Sequence, residues 1–254
     1  MRARTFFLLA GLGTLAGAIW WRKNPSACPY SQKFWVEAPH PIITVDRLRR
    51  VLAPRPGERI LEIGPGTGFY TLDMAEWVGP EGKVEIFDVQ QEFLDHTMRR
   101  AQERGLSNVV PTQGDATELP YQDDAFDAVA LTTVLGEIPD QAAALREIER
   151  VLRPGGRLVV GELFGDPHFT TFGSLQGQCD DVALRLEERS GNWFGYFARF
   201  AAGPSQAEAP AAAGGRSESP EGRCDAVGGP LGGCEGLSSR LSRRCHRAPA
   251  TSAT

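Results

Sequence analysis

Between residues 42 and 165, short apolar runs alternate with amphipathic ones, and Gly or Pro marks most junctions. No other feature constrains the fold as strongly. Residues 59–63, 83–88, 108–113, 126–131 and 157–163 read as strands. Helical spacing falls between them. Ile43, Val45, Leu48, Val51 and Leu52 share one face, and Pro54 and Pro56-Gly57 end it. Residues 69–78 run as a helix to Gly79-Pro80; Phe93, Leu94, Thr97, Met98 and Ala101 mark another, stopped at Gly105. Asp140 is placed to N-cap a helix whose apolar face is Ala144, Leu145, Ile148, Val151 and Leu152. Strands joined by helices of this length form a parallel sheet covered on both faces. Two alternating strands follow at 182–188 and 193–200. Ser190-Gly191-Asn192 between them predicts an antiparallel hairpin at the sheet edge.

Both ends of the chain differ from this middle. Residues 6–21 are uncharged and apolar, with Arg2 and Arg4 before them and Arg22 and Lys23 after. As a helix the run reaches about 24 Å, short of a ~30 Å hydrocarbon core. Trp20-Trp21 at an interface and snorkelling basic residues make a short span feasible. Ala16-Gly17-Ala18 also fits a signal-peptide cleavage site. Bulky tryptophans and a basic pair make a poor mature terminus, so an uncleaved single-pass anchor is expected. From Ala201 onward, Ala, Gly, Ser and Pro dominate, and Phe, Trp, Tyr, Ile and Met are absent. Such a tail buries too little apolar surface to offset its ordering entropy, which predicts disorder. Cys224, Cys234, Cys245 and His246 match no zinc spacing, so no metal site is expected. The expected organisation is an anchor or signal-like helix at 1–23, a linker at 24–41, a folded domain at 42–200 and a tail at 201–254.

In a parallel α/β sheet, ligands bind beyond the carboxyl ends of the strands. The first such loop is Gly64-Pro65-Gly66-Thr67-Gly68, with Glu62 just before it. The dinucleotide fingerprint needs a third Gly at position 69, which is Phe. The second strand ends at Asp88, placed to accept ribose hydroxyls. The third ends at Gly114-Asp115-Ala116, where Asp115 can accept from an exocyclic amine. A ligand-free turn, a helix-terminal charge and a turn-forming Asp are the plain alternatives for the three sites. Acids at three successive strand ends favour a ligand.

Residues 60–68 (Ile-Leu-Glu-Ile-Gly-Pro-Gly-Thr-Gly) resemble the first motif of class I S-adenosylmethionine-dependent methyltransferases. Asp88 looks like their ribose-binding acid, and Gly114-Asp115-Ala116 like their adenine-side motif. Leu119-Pro120-Tyr121, Phe126-Asp127-Ala128-Val129 and residues 150–157 are similar to later motifs of the small-molecule branch, which includes quinone and phospholipid methyltransferases. The resemblance covers about residues 40–200. It implies a Rossmann-like α/β fold with a seven-stranded, mostly parallel sheet, an antiparallel last strand and helices on both faces. It also implies S-adenosyl-L-methionine as cofactor, held by Glu62, Gly64, Gly66, Gly68, Asp88, Val89, Asp115 and Ala116. The chain departs from the family in lacking a substrate lid beyond a short segment at 166–181, and in its two ends.

Methyl transfer from a sulfonium needs alignment first, and a base only where the acceptor loses a proton. Glu137 and His168, after the fourth and fifth strands, are the candidates for that role, with Asp140 beside them. Tyr70 either covers the cofactor or packs; His40 and Trp35 precede the domain and are candidates to close over the pocket. The expected function is a methyltransferase acting on a small or lipophilic acceptor near a membrane, its domain facing the cytosol where the cofactor is. A non-catalytic anchored nucleotide-type binding module and an NAD(P)-dependent oxidoreductase are the rival readings. A net charge of −5, with no basic stripe through the domain, argues against nucleic acid. Oligomeric state and the acceptor itself are not legible.

Overall fold

The computed structural model describes residues 25–32, 34 and 41–203. The expected anchor at 6–21, Trp35, His40 and the tail beyond 203 lie outside the described residues. Among the described residues, no helix is long and apolar enough to cross a membrane.

Seven strands form one sheet: β1 Arg59–Ile63, β2 Lys83–Asp88, β3 Val109–Gln113, β4 Phe126–Thr132, β5 Leu152–Leu163, β6 Leu184–Asn192 and β7 Gly195–Ala202. Their spatial order is β3-β2-β1-β4-β5-β7-β6. β1 to β5 pair in parallel, and β7 is antiparallel to both β5 and β6. The Rossmann-like expectation, with one reversed strand, is therefore met. Pro111 is tolerated in β3 because that strand is an edge.

Alternation along β1, β2, β4, β5 and β7 buries both faces. Ile60, Val84, Ile86 and Val159 pack on one side against α1 (Val45–Leu52), α2 (Thr71–Val78) and α3 (Gln91–Glu103). Leu61, Val129, Leu131, Leu158 and Val160 pack on the other side against α4 (Gln141–Val151) and α5 (Phe172–Asp180). Asp140 caps α4 as expected, its Oδ1 accepting the Ala143 N–H at 2.9 Å.

Three local expectations need correction. First, the reversal between β6 and β7 is at Trp193-Phe194, because pairing continues through Asn192 opposite Gly195. Gly191 lies inside the strand at φ +129°, where an added Cβ would sit 2.3 Å from the Gly195 carbonyl oxygen. Second, β5 starts at Leu152, and Pro154-Gly155-Gly156 form an irregularity between its pairings with Phe126 and Ala128. Third, the last strand runs past Phe200: Ala201 pairs with Arg157 and Ala202 with Leu184. The short 166–181 segment, for which the sequence offers no periodic pattern, contains a helix, α5, capped by Thr171 and anchored by buried Leu175 and Cys179.

Candidate functional site

The connections reverse direction between β1 and β4, so the loops after these strands define the switch point. They touch there. Gly64 has φ +68°, and a Cβ on it would lie 2.3 Å from Val134 Cγ2. A Cβ on Gly68 would lie 2.8 Å from Thr97 Cγ2. These two glycines thus permit close protein contacts as well as the tight turn. The loop's carbonyls are tied down from α3: Thr97 Oγ1 donates to Gly66 O at 3.1 Å, and Arg100 to Thr67 O at 2.6 Å. After β4, Thr133 turns the chain at φ +55°, and its N–H donates to Gly161 O at 2.8 Å. A β-branched residue with that φ is an outlier of the strained kind found at functional loops.

The carboxylates predicted from the sequence collect at this rim. Glu62 follows Ile60 on the α2 face and is buried; its Oε2 accepts from Thr71 Oγ1. Burial pushes its carboxyl up to about 7, against the opposing hydrogen bond from Thr71. Asp88, half-buried at the end of β2, accepts the Gln90 N–H at 2.8 Å. Burial raises it to about 6, although backbone donors oppose the shift. The adjacent Gly64 N–H donates to Phe87 O and the Gly114 N–H to Asp88 O, so the three predicted loops are stitched together. Val89 is exposed and Ala116 is buried. Asp115 is exposed and held below its usual range by the Thr117 backbone and hydroxyl donors.

The proposed catalytic candidates sit on the other side of the switch point. Glu137 ends a 3-10 turn, Leu135–Glu137, and its Oε2 accepts the Cys28 N–H at 3.0 Å. Burial, with smaller contributions from Asp166 and Asp88, raises it to about 7. His168 is buried, its backbone pressed on Gly136 so closely that a Cβ there would meet His168 O at 1.8 Å. Both Gly136 and His168 line a pocket of about 240 Å³, with Pro25, Gln141, Thr170 and Ser174 among its walls. Asp140 acts as the α4 cap. Tyr70 is a core residue: its hydroxyl donates to Ile43 O, and its ring meets Phe197 edge-on at 6.2 Å.

Two contributors escaped the sequence reading. Residues 25–32, expected as linker, cross the rim. Gln90 Nε2 donates to Cys28 O at 2.9 Å, and Tyr30 reaches His96 Nδ1 at 3.1 Å and packs edge-on against Phe93. The second is Glu162, at the end of β5 and only 1% exposed. No periodic pattern marks either.

A family model described as the ubiE/COQ5 methyltransferase family matches residues 40–172. The chain belongs to this family. The resemblance drawn from the motifs at 60–68 and 150–157 is thereby borne out. Among curated proteins the chain is similar to the ubiquinone/menaquinone biosynthesis C-methyltransferase UbiE of Vibrio parahaemolyticus, 40% identical over 109 residues, which are 42% of each chain. It is similar also to UbiE of Cellvibrio japonicus, 39% identical over 115 residues, 45% of this chain and 46% of that one. The chain thus spans less than half the length of these ubiE/COQ5 relatives. Of solved structures, a SAM-dependent methyltransferase from Aquifex aeolicus aligns with TM-score 0.64 and 18% identity, covering 69% of this chain and all of that one. The [4+2]-cyclase SpnF aligns with TM-score 0.57 and 22% identity, covering 63% of this chain and 80% of that one. Such likeness speaks for the fold alone, and a cyclase on the same fold shows that the fold does not fix the reaction.

Proposed function

We propose that the chain transfers a methyl group from S-adenosyl-L-methionine to a carbon of a small, lipophilic, hydroxylated ring. One observation carries this reading beyond family membership. Glu62, Asp88, Glu137 and Glu162 crowd the rim, and none is ion-paired with an Arg or Lys among the described residues. A ligand bearing a sulfonium and an ammonium suits such a rim. The oxidoreductase reading loses on Phe69, which stands where the dinucleotide fingerprint needs its third glycine.

In this reading the Gly64–Gly68 turn and Glu62 hold the amino-acid end of the cofactor. Asp88, beside Val89, accepts the ribose hydroxyls, and Asp115 with Ala116 borders the adenine. The bound cofactor supplies an already activated methyl group, so the protein's work is alignment and proton handling. The relatives' names supply the acceptor class, a quinone-type ring. A quinone itself is electron-poor, so the nucleophile is its reduced, hydroxylated form. Support for a lipophilic acceptor comes from an exposed aromatic group on this rim. Phe164, Trp193 and Phe194 are 55%, 63% and 43% exposed, and Phe164 touches the pocket-lining Phe169 at 5.8 Å. The apolar run at 6–21 fits the same proposal, as an anchor that keeps the domain near a membrane-borne acceptor.

Calorimetric titration of the full chain with S-adenosylhomocysteine tests the first step. Binding is expected, and Asp88→Asn should weaken it ~10-fold or more, since hydrogen bonds to a charged group carry about 1.5–3 kcal/mol. Labelled methyl should then appear in a hydroquinone. No heat with the cofactor, together with tight NADH binding, would overturn the reading. Binding without transfer to any hydroquinone or lipid extract would favour a non-catalytic module.

A further inference from the structure

Strand β5 ends in Gly161-Glu162-Leu163, and Glu162 continues the face of Leu158 and Val160 toward α5. Its Oε2 accepts the Thr170 N–H at 3.1 Å. Its Oε1 is buried and has no hydrogen-bond partner among the described residues. The strand cannot shift to relieve this. A Cβ on Gly161 would lie 2.3 Å from the Phe197 ring, and Glu162 is in register with Tyr196. Thr170 is held from its other side by the Tyr196 hydroxyl, which donates to Thr170 O at 2.8 Å. Thr170 also lines the pocket, so the buried carboxyl stands directly behind the pocket wall. The charged groups acting on it are Glu137 from the β4 loop and Asp166 from the β5 loop. Both disfavour its ionisation, and burial disfavours it more, pushing it up to about 8. Leaving a buried acceptor unmet is costly, and no ion pair among the described residues offsets it. Stability gains nothing from this arrangement; a water bridging to a ligand hydroxyl would complete it.

We propose that Glu162 is the proton acceptor for the methyl acceptor, its Oε1 receiving, through one bridging water, the O–H proton of a phenol-type ring seated in the pocket that Thr170 lines. This rests on the methyltransferase reading above. The O–H bond breaks, its proton passes to Oε1 and its electron pair moves into the ring. A ring-carbon pair forms the new C–CH3 bond while the S–CH3 pair leaves on sulfur. The methylated carbon then gives its hydrogen to water as a proton, the freed pair restores the aromatic ring, and Glu162 returns its proton to the ring oxygen. One proton is released per methyl group, and no oxidant or reductant is consumed.

The test uses the full chain and methoxyhydroquinone as a tail-less probe. Glu162→Gln keeps the shape and the bond from Thr170 but cannot take a proton. Its kcat should fall ~10²-fold or more, while S-adenosylhomocysteine affinity stays within about twofold. A base must be ionised, so wild-type rate should rise with pH through a limb near 8. That limb should vanish in Glu162→Gln and return in Glu162→Asp. A Gln variant with wild-type rate and the same limb would sink the proposal. Should that variant not fold, carbon-13 NMR of the wild-type glutamates replaces it. One carboxyl titrating near pH 8 must shift its midpoint when the probe is added without cofactor, and an unresponsive carboxyl overturns the assignment. If the probe shifts that carboxyl but accepts no methyl, the methyltransferase reading fails and the Glu162 site stands.

Discussion

The two ends of the sheet treat acidic residues in opposite ways. At the amino-terminal ends of the strands, acids are matched with arginines. Glu58 meets Arg157 through both oxygens, at 2.6 and 3.0 Å. Glu85 meets Arg59 at 2.7 Å, and Asp127 meets Arg153 at 2.6 Å. At the carboxyl-terminal ends, Glu62, Asp88, Glu137 and Glu162 have hydroxyl or backbone donors and no ion pair among the described residues. One rim uses its charges to hold the fold, and the other leaves its acids without a cation among the described residues. The sharpest way to break the contrast is Arg157→Met. The Arg157 and Glu58 side chains are only 12% and 10% exposed, and Arg157 also donates to Leu52 O and Ala53 O, which fastens α1 to β5. Removing the cation strands a buried carboxylate, so urea unfolding should show a loss of about 3–5 kcal/mol. A loss below about 1 kcal/mol would mean that this rim is no more committed to stability than the other.

The rims should also separate along the pH axis. Glu62 and Glu162 have folded values raised from 4.5 to about 7 and about 8. The folded state holds their protons more tightly than the unfolded chain does. Their contribution is complete below the unfolded value near 4.5 and drains away as pH rises through 7 to 8. Glu147, at the opposite rim, is lowered by Arg150, so its contribution is present above about 4.5 and is lost as pH falls through its lower folded value. Stability should therefore peak near pH 5 and fall by roughly 2–4 kcal/mol by pH 8.5. Each tenfold change in proton affinity corresponds to ~1.4 kcal/mol, and water entering on ionisation recovers part of it. Glu62→Gln and Glu162→Gln should each flatten the alkaline side and leave the acid side unchanged. A profile that stays level from pH 5 to 8.5 would remove the basis for calling the upper acids costly.

The same contrast explains what the sequence revealed. β1, β2, β4 and β5 are buried on both faces and read as nearly continuous apolar runs, so their place was visible. Glu62 and Asp88 were visible because each stands at a strand end beside glycine or a helix start. Glu162 was not, because one acid at the end of an apolar run carries no periodic signal. Its neighbours come from residues 137 and 170, which only the tertiary fold brings near. α5 was hidden by Gly173 and Gly177, which weaken helical propensity; its stability rests on the Thr171 cap and the Leu175–Cys179 pair. Ser190-Gly191-Asn192 has turn chemistry, yet Gly191 is there because the Gly195 backbone comes too close for any side chain. The true reversal carries two aromatic residues and is held by the Phe194 N–H donating to Asn192 Oδ1.

The smallest expected effect refines the account of the paired rim. Arg153 and Arg157 belong to the same strand, and both contact Asp127. Arg153 forms its ion pair with a side chain that is 50% exposed. Solvent screens such a pair, and holding a long side chain in place costs entropy, so Arg153→Ala should cost at most about 1 kcal/mol. That cost should shrink further in ~0.5 M salt, because the Debye length drops below the ~8 Å of physiological solution. The Arg157→Met cost should hardly respond to salt, because its pair is shielded from ions. Urea midpoints for both variants at low and high salt decide the matter. If Arg153 proved as costly as Arg157, and both costs faded together in salt, pairing itself would govern the lower rim. If only the exposed pair is weak and salt-sensitive, burial is what turns a charge pair into a structural element. The upper rim's carboxyls, buried without an ion pair, would then be costly for the same reason that Arg157 is valuable.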